Sequence, residues 1–318
     1  MPWGDPLPDG SILTMDAYWS IGPHDWGIEV SPLAGGPAMG STGAGVVPGW
    51  LVALDVDGTL TGPGRPDVPP ETAGAVRSAR ASGHEIVVAT GRSLVGALPI
   101  ANAFGPTGWV VASNGAITAR LDAQAPGGYV LVDASTLNVA PVVRMGLALA
   151  PELRVAVEDT GWGYLVNRQF ADGQLNGRQR TVDGTVELWE RPAPRVVLSG
   201  SGIVDKLLKP LHDLGVTAHS DGPDWIDVTP AGLSKASALE QVRNRLGVSQ
   251  ERTVAVGDGV NDIEAFHWAA RAVAMGQASE EVRAAADETT GSVDEQGVIA
   301  VLQSLPNPRL SAQAPAAG

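Results

Sequence analysis

Cysteine is absent from all 318 residues. Its absence rules out disulfides, thiolate metal sites and cysteine nucleophiles, and fits a reducing cytoplasm. Basic residues are scarce: 21 Lys and Arg stand against 35 Asp and Glu, a net charge of −14. Binding a nucleic-acid backbone needs a basic surface, so no nucleic-acid partner is expected. No uninterrupted apolar run has the length of a membrane span, although 44% of the residues are hydrophobic. No Lys or Arg precedes Arg65, and the basic start and apolar core of a secretory signal are both missing. The first fifty residues hold ten Gly and seven Pro instead. That composition reads as an extension outside the fold, residues 1–49, or as a start site placed too early. Gly40-Ser41-Thr42-Gly43-Ala44-Gly45 has the texture of a phosphate loop but no strand before it or helix after it, so it reads as linker. Residues 306–318 read as a loose tail.

Order begins at Leu51-Val52-Ala53-Leu54, an apolar run of the kind buried on both faces in a parallel sheet, which runs into Asp55-Val56-Asp57-Gly58-Thr59. A helix over about 71–82 leads to the strand Glu85–Ala89, which ends in Thr90-Gly91-Arg92. A helix over about 93–104 leads to the strand Trp109–Ala112, which ends in Ser113-Asn114-Gly115. Three strands separated by helices describe βαβ units. Between about 118 and 229 the texture changes to short alternating segments with two helical patterns, over 136–150 and 203–214. This is the signature of an inserted α+β module whose sheet has one open face. The parallel pattern then resumes with a helix over 235–246, capped by Ser234 and stopped by Gly247, and with the strand Thr253–Val256 running into Gly257-Asp258-Gly259-Val260-Asn261-Asp262. A helix over about 261–270 and a strand over 272–275 follow. The expected fold class is therefore α/β, a doubly wound parallel sheet over 50–117 and 230–305 with the smaller module at 118–229.

Four polar stretches fall at strand ends or a helix start, where open α/β sheets bind ligands. Singly, each is an ordinary turn, cap or surface charge. Together, Asp55, Asp57 and Asp258 concentrate negative charge that needs a hard cation with oxygen ligands, and Mg²⁺ suits a site that also takes a phosphate. Lys235 offsets further anionic charge. Asp55 can then attack phosphorus to form an aspartyl-phosphate, and Asp57 can protonate the leaving oxygen and later activate water. Thr90 and the amides after Asp55 can hydrogen-bond the non-bridging oxygens.

These residues resemble the haloacid dehalogenase superfamily of phosphatases, in its Cof-type branch with a large cap between the second and third motifs. Asp55-Val56-Asp57-Gly58-Thr59-Leu60, Thr90-Gly91-Arg92, Gly232-Leu233-Ser234-Lys235 and Gly257–Asp262 stand in the family's order. The resemblance covers about residues 51–305. It implies a Rossmann-like core, Asp55 as nucleophile, Asp57 as acid/base, and Lys235 as charge balance. It also implies Asp258 as a metal ligand with Asp262 in support, and Gly91, Arg92, Asn114 and Asn261 close to substrate. The expected partner is a small phosphorylated metabolite such as a sugar phosphate, with neither nucleic acid nor membrane involved. Two other functions share the pattern: a phosphomutase that passes the phosphoryl group to a second hydroxyl, and an inactive regulatory binder, which would need a missing catalytic residue. The histidines show no metal spacing and read as surface or core. In the cap, Arg168, Arg178, Arg180 and Arg195 read as solvated charges, with substrate contact as the alternative.

Overall fold

The computed structural model describes residues 49–306 and 308, apart from 63, 64, 66 and 221. The expectations for the opening extension, for Gly40–Gly45, for His24 and for most of the tail concern residues outside this range.

The apolar run that opens the order is β1 (Leu51–Leu54), buried at every position. After it come α1 (Pro70–Ala81), β2 (Glu85–Ala89), α2 (Leu94–Asn102) and β3 (Thr107–Ala112). β1 pairs in parallel with β2, and β2 with β3. Because side chains alternate across a strand, the run serves two cores at once. Val52, Leu54, Ile86 and Val88 pack with Val76 of α1 and Ile100 of α2, while Leu51, Ala53, Val87 and Ala89 face the opposite side.

β4 (Ile117–Asp122) and β5 (Tyr129–Ala134) follow. The sequence reading places residues from 118 onward in the inserted module, but β4 pairs antiparallel with β3 and β5 with β4, so both extend the first sheet. Alternation with tight turns looks alike whichever sheet accepts the hairpin. Here Ile117, Ala119 and Leu121 join the core under β3, and that burial decides the pairing.

A second sheet is then built from α3 (Val139–Leu149), β6 (Arg154–Asp159), β7 (Gly163–Val166), β8 (Arg178–Thr181), β9 (Val196–Ser199), α4 (Ile203–Asp213), β10 (Thr217–Ser220) and β11 (Trp225–Thr229). Its order is β10-β11-β9-β6-β7-β8. Val142 and Val143 of α3 and Leu207 and Leu211 of α4 cover one face. The face expected to be open is partly closed: Ala156, Tyr164, Val166 and Val197 pack there with Phe170 and Leu175 from the β7–β8 connection.

Returning to the first sheet, the chain adds α5 (Lys235–Leu246), β12 (Thr253–Gly257), α6 (Ile263–Trp268), β13 (Arg271–Ala274), α7 (Glu280–Ala284), β14 (Glu288–Thr289) and α8 (Gly297–Gln303). The finished order is β14-β13-β12-β1-β2-β3-β4-β5, parallel except for β4 and β5. Helices α5, α6 and α7 supply Leu239, Phe266 and Val282 to the second face, so the sheet is wound on both sides. β1 lies between β2 and β12, and the connection after β1 and the connection after β12 run to opposite sides, which opens a crevice at their carboxyl ends. No helix among the described residues is long and apolar enough to cross a membrane.

Candidate active site

The crevice receives Asp55 from β1, Thr90 from β2, Ser113 and Asn114 from β3, and Asp258 from β12. The β1 ladder runs on to Asp55, whose amide donates to Val256 O at 3.0 Å. The chain then turns sharply, with the amides of Thr59, Leu60 and Thr61 all donating to Val56 O. Gly58 makes the turn possible. Its φ is +82°, and a Cβ there would stand 2.0 Å from the Asp258 carboxylate, so the position excludes any side chain.

Lys235 enters from the first turn of α5. Ser234 caps this helix by accepting from Ser237 N at 3.3 Å, while Ser237 Oγ accepts from Ser234 N at 3.1 Å. The capped turn points an ammonium into the crevice at 1% exposure. Its Nζ donates to Asp55 Oδ1 and to Asp262 Oδ1, each at 2.6 Å. The other oxygen of Asp262 accepts from the amides of Asp258 and Gly259, at 3.1 and 3.0 Å. Asp262 thus ties Lys235 to the loop that carries Asp258.

Asp55, Asp258 and Asp262 each offer a carboxylate oxygen within 4.8 Å of the others. Three carboxylates and one ammonium leave two negative charges in a buried place. The strain shows in the titration of the group. Burial raises Asp55 well above its ordinary range, and Asp262 and Asp258 add to the rise, although Lys235 opposes it. Burial chiefly, with Asp262, also lifts Asp258 to about 6. Lys235 moves up as well: burial works against its charge, but Asp262 and Asp55 outweigh it. One cation does not satisfy three carboxylates. An all-oxygen group with two uncompensated charges fits a hard divalent ion of the Mg²⁺ type.

The carboxylate of Asp57, expected among the metal ligands, lies outside this group. Arg92 grips its carboxylate from two sides, Nε to Oδ2 at 2.8 Å and Nη2 to Oδ1 at 2.5 Å. Thr90 is buried, and its hydroxyl accepts from the Arg92 amide at 3.0 Å. Asn261 donates to Asn114 Oδ1 at 2.9 Å, which joins two residues read as substrate neighbours. Gly91 lies against the same pair: a Cβ there would meet Asn114 Oδ1 at 3.1 Å.

Sequence reasoning missed several participants. Gln277 donates to Gly58 O at 2.6 Å and to Asp258 Oδ2 at 3.1 Å, bridging the ends of β1 and β12; a glutamine in a loop carries no signal of this. Ser113 and Asn114 both hold left-handed backbone, φ 51° and 52°, which is rare outside glycine. The turn is held by Glu158 of β6, whose Oε2 accepts from Ser113 Oγ at 2.6 Å. Arg195, read as a solvated or substrate-binding charge, is buried instead. It donates to Gly91 O and to the Tyr164 hydroxyl, and its Nε lies 3.3 Å from Glu158 Oε2. It is a bridge between the two sheets. Burial opposes its charge, but Tyr164, Asp227 and Glu158 together hold it protonated. Arg168 and Arg180 pair with Glu152 and Glu187 at 2.7 and 3.0 Å, and Arg178 lies on the edge strand β8. His84 is a core residue, accepting from Trp50 N at 3.1 Å. His219, read as surface or core, is half-buried and borders the crevice beside Asn114, Lys235 and Asn261.

A crevice at the switch point of a doubly wound sheet, lined by carboxylates around a buried lysine, defines an α/β protein with its ligand site at the strand ends and a second sheet inserted in the chain. The model of the haloacid dehalogenase-like hydrolases matches residues 52–140 and 197–302, and the chain belongs to that family. Every motif residue lies within these two stretches. The phosphatase YwpJ of Bacillus subtilis is 26% identical over 80% of this chain and 99% of its own length. A phosphoglycolate phosphatase of Natronomonas pharaonis is 28% identical, covering 79% of this chain and 95% of its own. A phosphatase of this superfamily from Bacteroides thetaiotaomicron has a solved structure that superposes with a TM-score of 0.67 at 29% identity, over 80% of this chain and 94% of that one.

Proposed function

We infer that this hydrolase is a Mg²⁺-dependent phosphatase that cleaves small phosphate monoesters through an aspartyl-phosphate on Asp55. The observation that carries the reading is the buried group of Asp55, Asp258 and Asp262 around one lysine, two charges short of balance. Relatives named as phosphatases, over nearly their full lengths, support the reaction class.

Asp55 and Asp258 would hold the metal, with Asp262 beside them. When bound, the ion supplies positive charge that lets an anionic carboxylate meet an anionic phosphate. Lys235 fixes Asp55 through Oδ1 and shields it from the incoming charge. An Asp55 oxygen forms a bond to phosphorus as the ester oxygen departs with its electron pair. Asp57 gives that oxygen a proton, and an alcohol leaves. For this the Arg92–Asp57 pair must open, and an arriving phosphate offers Arg92 another anion to bind. Asp57 then takes a proton from water as the water oxygen attacks phosphorus, which frees phosphate and restores the Asp55 carboxylate. The buried position of Asp55, 7% exposed, limits competing attack by bulk water.

Rapid acid quench during turnover of an aryl phosphate should trap one phosphoryl group on the peptide carrying Asp55, read by mass spectrometry. Steady turnover with that peptide unmodified at every quench time would remove the covalent step.

A further inference from the structure

Next to the reacting carboxylates a cleft of about 200 Å³ opens between the two sheets. Lys235, Asn114 and Asn261 line it together with His219 of β10 and Glu264 of α6. A phosphate ester bound at Asp55 has this space for its leaving group. The volume lies below the ~300–1,000 Å³ of sites that take drug-sized ligands, so the group is short.

The charges around this cleft have one sign to spare. Lys235 is shared between Asp55 and Asp262. Arg92 is held by Asp57. Arg195 is buried against Glu158 and Asp227. His219 is kept toward its neutral form by burial, although Glu264 and Asp227 act against that shift. Glu264 is exposed and forms no ion pair among the described residues. A leaving group that brought a carboxylate or second phosphate would meet Glu264 and, among the described residues lining the cleft, no unengaged Lys or Arg. Hydroxyls, in contrast, can pair with Asn114, Asn261, the His219 ring and the Glu264 carboxylate.

Resting on the phosphatase reading above, we propose that Glu264 and His219 form a selectivity wall that admits uncharged polyhydroxyl or amine-bearing phosphate monoesters and rejects esters with a second anionic group. Rejection acts through like charge, so it strengthens specificity without touching the reacting groups. The same wall disfavours a phosphomutase cycle, whose doubly phosphorylated intermediate needs a cation at the second site.

The test uses two esters that differ only by CH₂OH against COO⁻, glycerol phosphate and phosphoglycerate. Each is measured as a substrate and as a competitor of p-nitrophenyl phosphate, with full-length protein and Mg²⁺. Glycerol phosphate should be favoured by about tenfold in kcat/KM or in inhibition constant at low salt, and the ratio should shrink as NaCl screens the exposed carboxylate. Glu264→Gln should bring the ratio close to one by improving phosphoglycerate, and Glu264→Lys should invert it. Equal handling of both esters by the native protein, or a ratio unmoved in both variants, would overturn the wall while leaving the phosphatase standing. Failure to hydrolyse even p-nitrophenyl phosphate would overturn both.

Discussion

A buried carboxylate without its counter-charge prefers to keep a proton, and Asp258 shows this most clearly. Its pKa is raised from 3.8 to about 6, so the stability it contributes is present at low pH and is lost as pH rises through about 6. A bound cation favours the ionised form instead. The rise in Tm produced by Mg²⁺ should therefore be small below about pH 5 and large above about pH 7. Thermal melts with Mg²⁺ or EDTA across that range check it, and a gain that is flat with pH would remove Asp258 from the ligands. Asp55→Asn should lower turnover by about a thousandfold or more while leaving the fold intact, since an amide is a poor nucleophile. Gln277 touches no reacting atom, yet it fixes the Asp258 carboxylate. Gln277→Ala should weaken Mg²⁺ activation by about tenfold and leave saturated kcat little changed, as a Mg²⁺ titration of activity would show.

At the scale of elements, the ends of strands and the start of one helix carry the chemistry. Ladders and helix cores fix where those ends fall. Ser234 and Ser237 close the first turn of α5 reciprocally, and Lys235 is the residue inside that turn. Ser234→Ala should cost about 1 kcal/mol of stability through the lost cap. It should also lower kcat more than this stability loss explains, because the ammonium loses its fixed entry angle. A variant with reduced Tm but native kcat would separate capping from catalysis. The elements were largely legible: β1, β2 and α5 match their expected spans, because apolar runs, Ser and Gly caps act locally. The helix expected over 261–270 is interrupted. A tight turn at Val260–Asp262 precedes α6, since Asp262 folds back to accept the amides of Asp258 and Gly259.

Across the whole molecule, the two sheets meet through buried polar groups. Glu158 of β6 reaches the strained Ser113 turn, Arg195 reaches Gly91 O, and Ser93 Oγ donates to Asn176 O at 2.7 Å. The second sheet and its β7–β8 connection therefore reach the loops that follow both β2 and β3. Removing one member of a buried ion pair leaves the other charge uncompensated, at a cost of about 3–5 kcal/mol. Glu158→Ala should lower Tm by roughly 10 °C, the equivalent of that loss in a chain of this size. Glu158→Gln, which keeps an acceptor for Ser113, should recover part of it. If Glu158→Ala melts like the native protein, the Arg195 bridge does not hold the sheets together.

The sequence by itself determined five parallel strands of the first sheet, the helices that wind them, and the motif residues that meet in the crevice. Each depends on local signals: a run of apolar residues, a Gly that tolerates left-handed backbone, a carboxylate pair at a strand end. Tertiary structure alone decided which sheet received β4 and β5, that Asp57 pairs with Arg92 outside the acidic group, that Gln277 supports Asp258, and that Arg195 is buried. Arg92 and Asp57 stand 35 positions apart and Arg195 and Gly91 stand 104 apart, while the β3–β4 hairpin is local and its sheet was decided by the burial of Ile117, Ala119 and Leu121. Charge and hydrogen-bonding capacity are visible in a residue's name; which partner satisfies them is settled only when the sheets close on each other and exclude water.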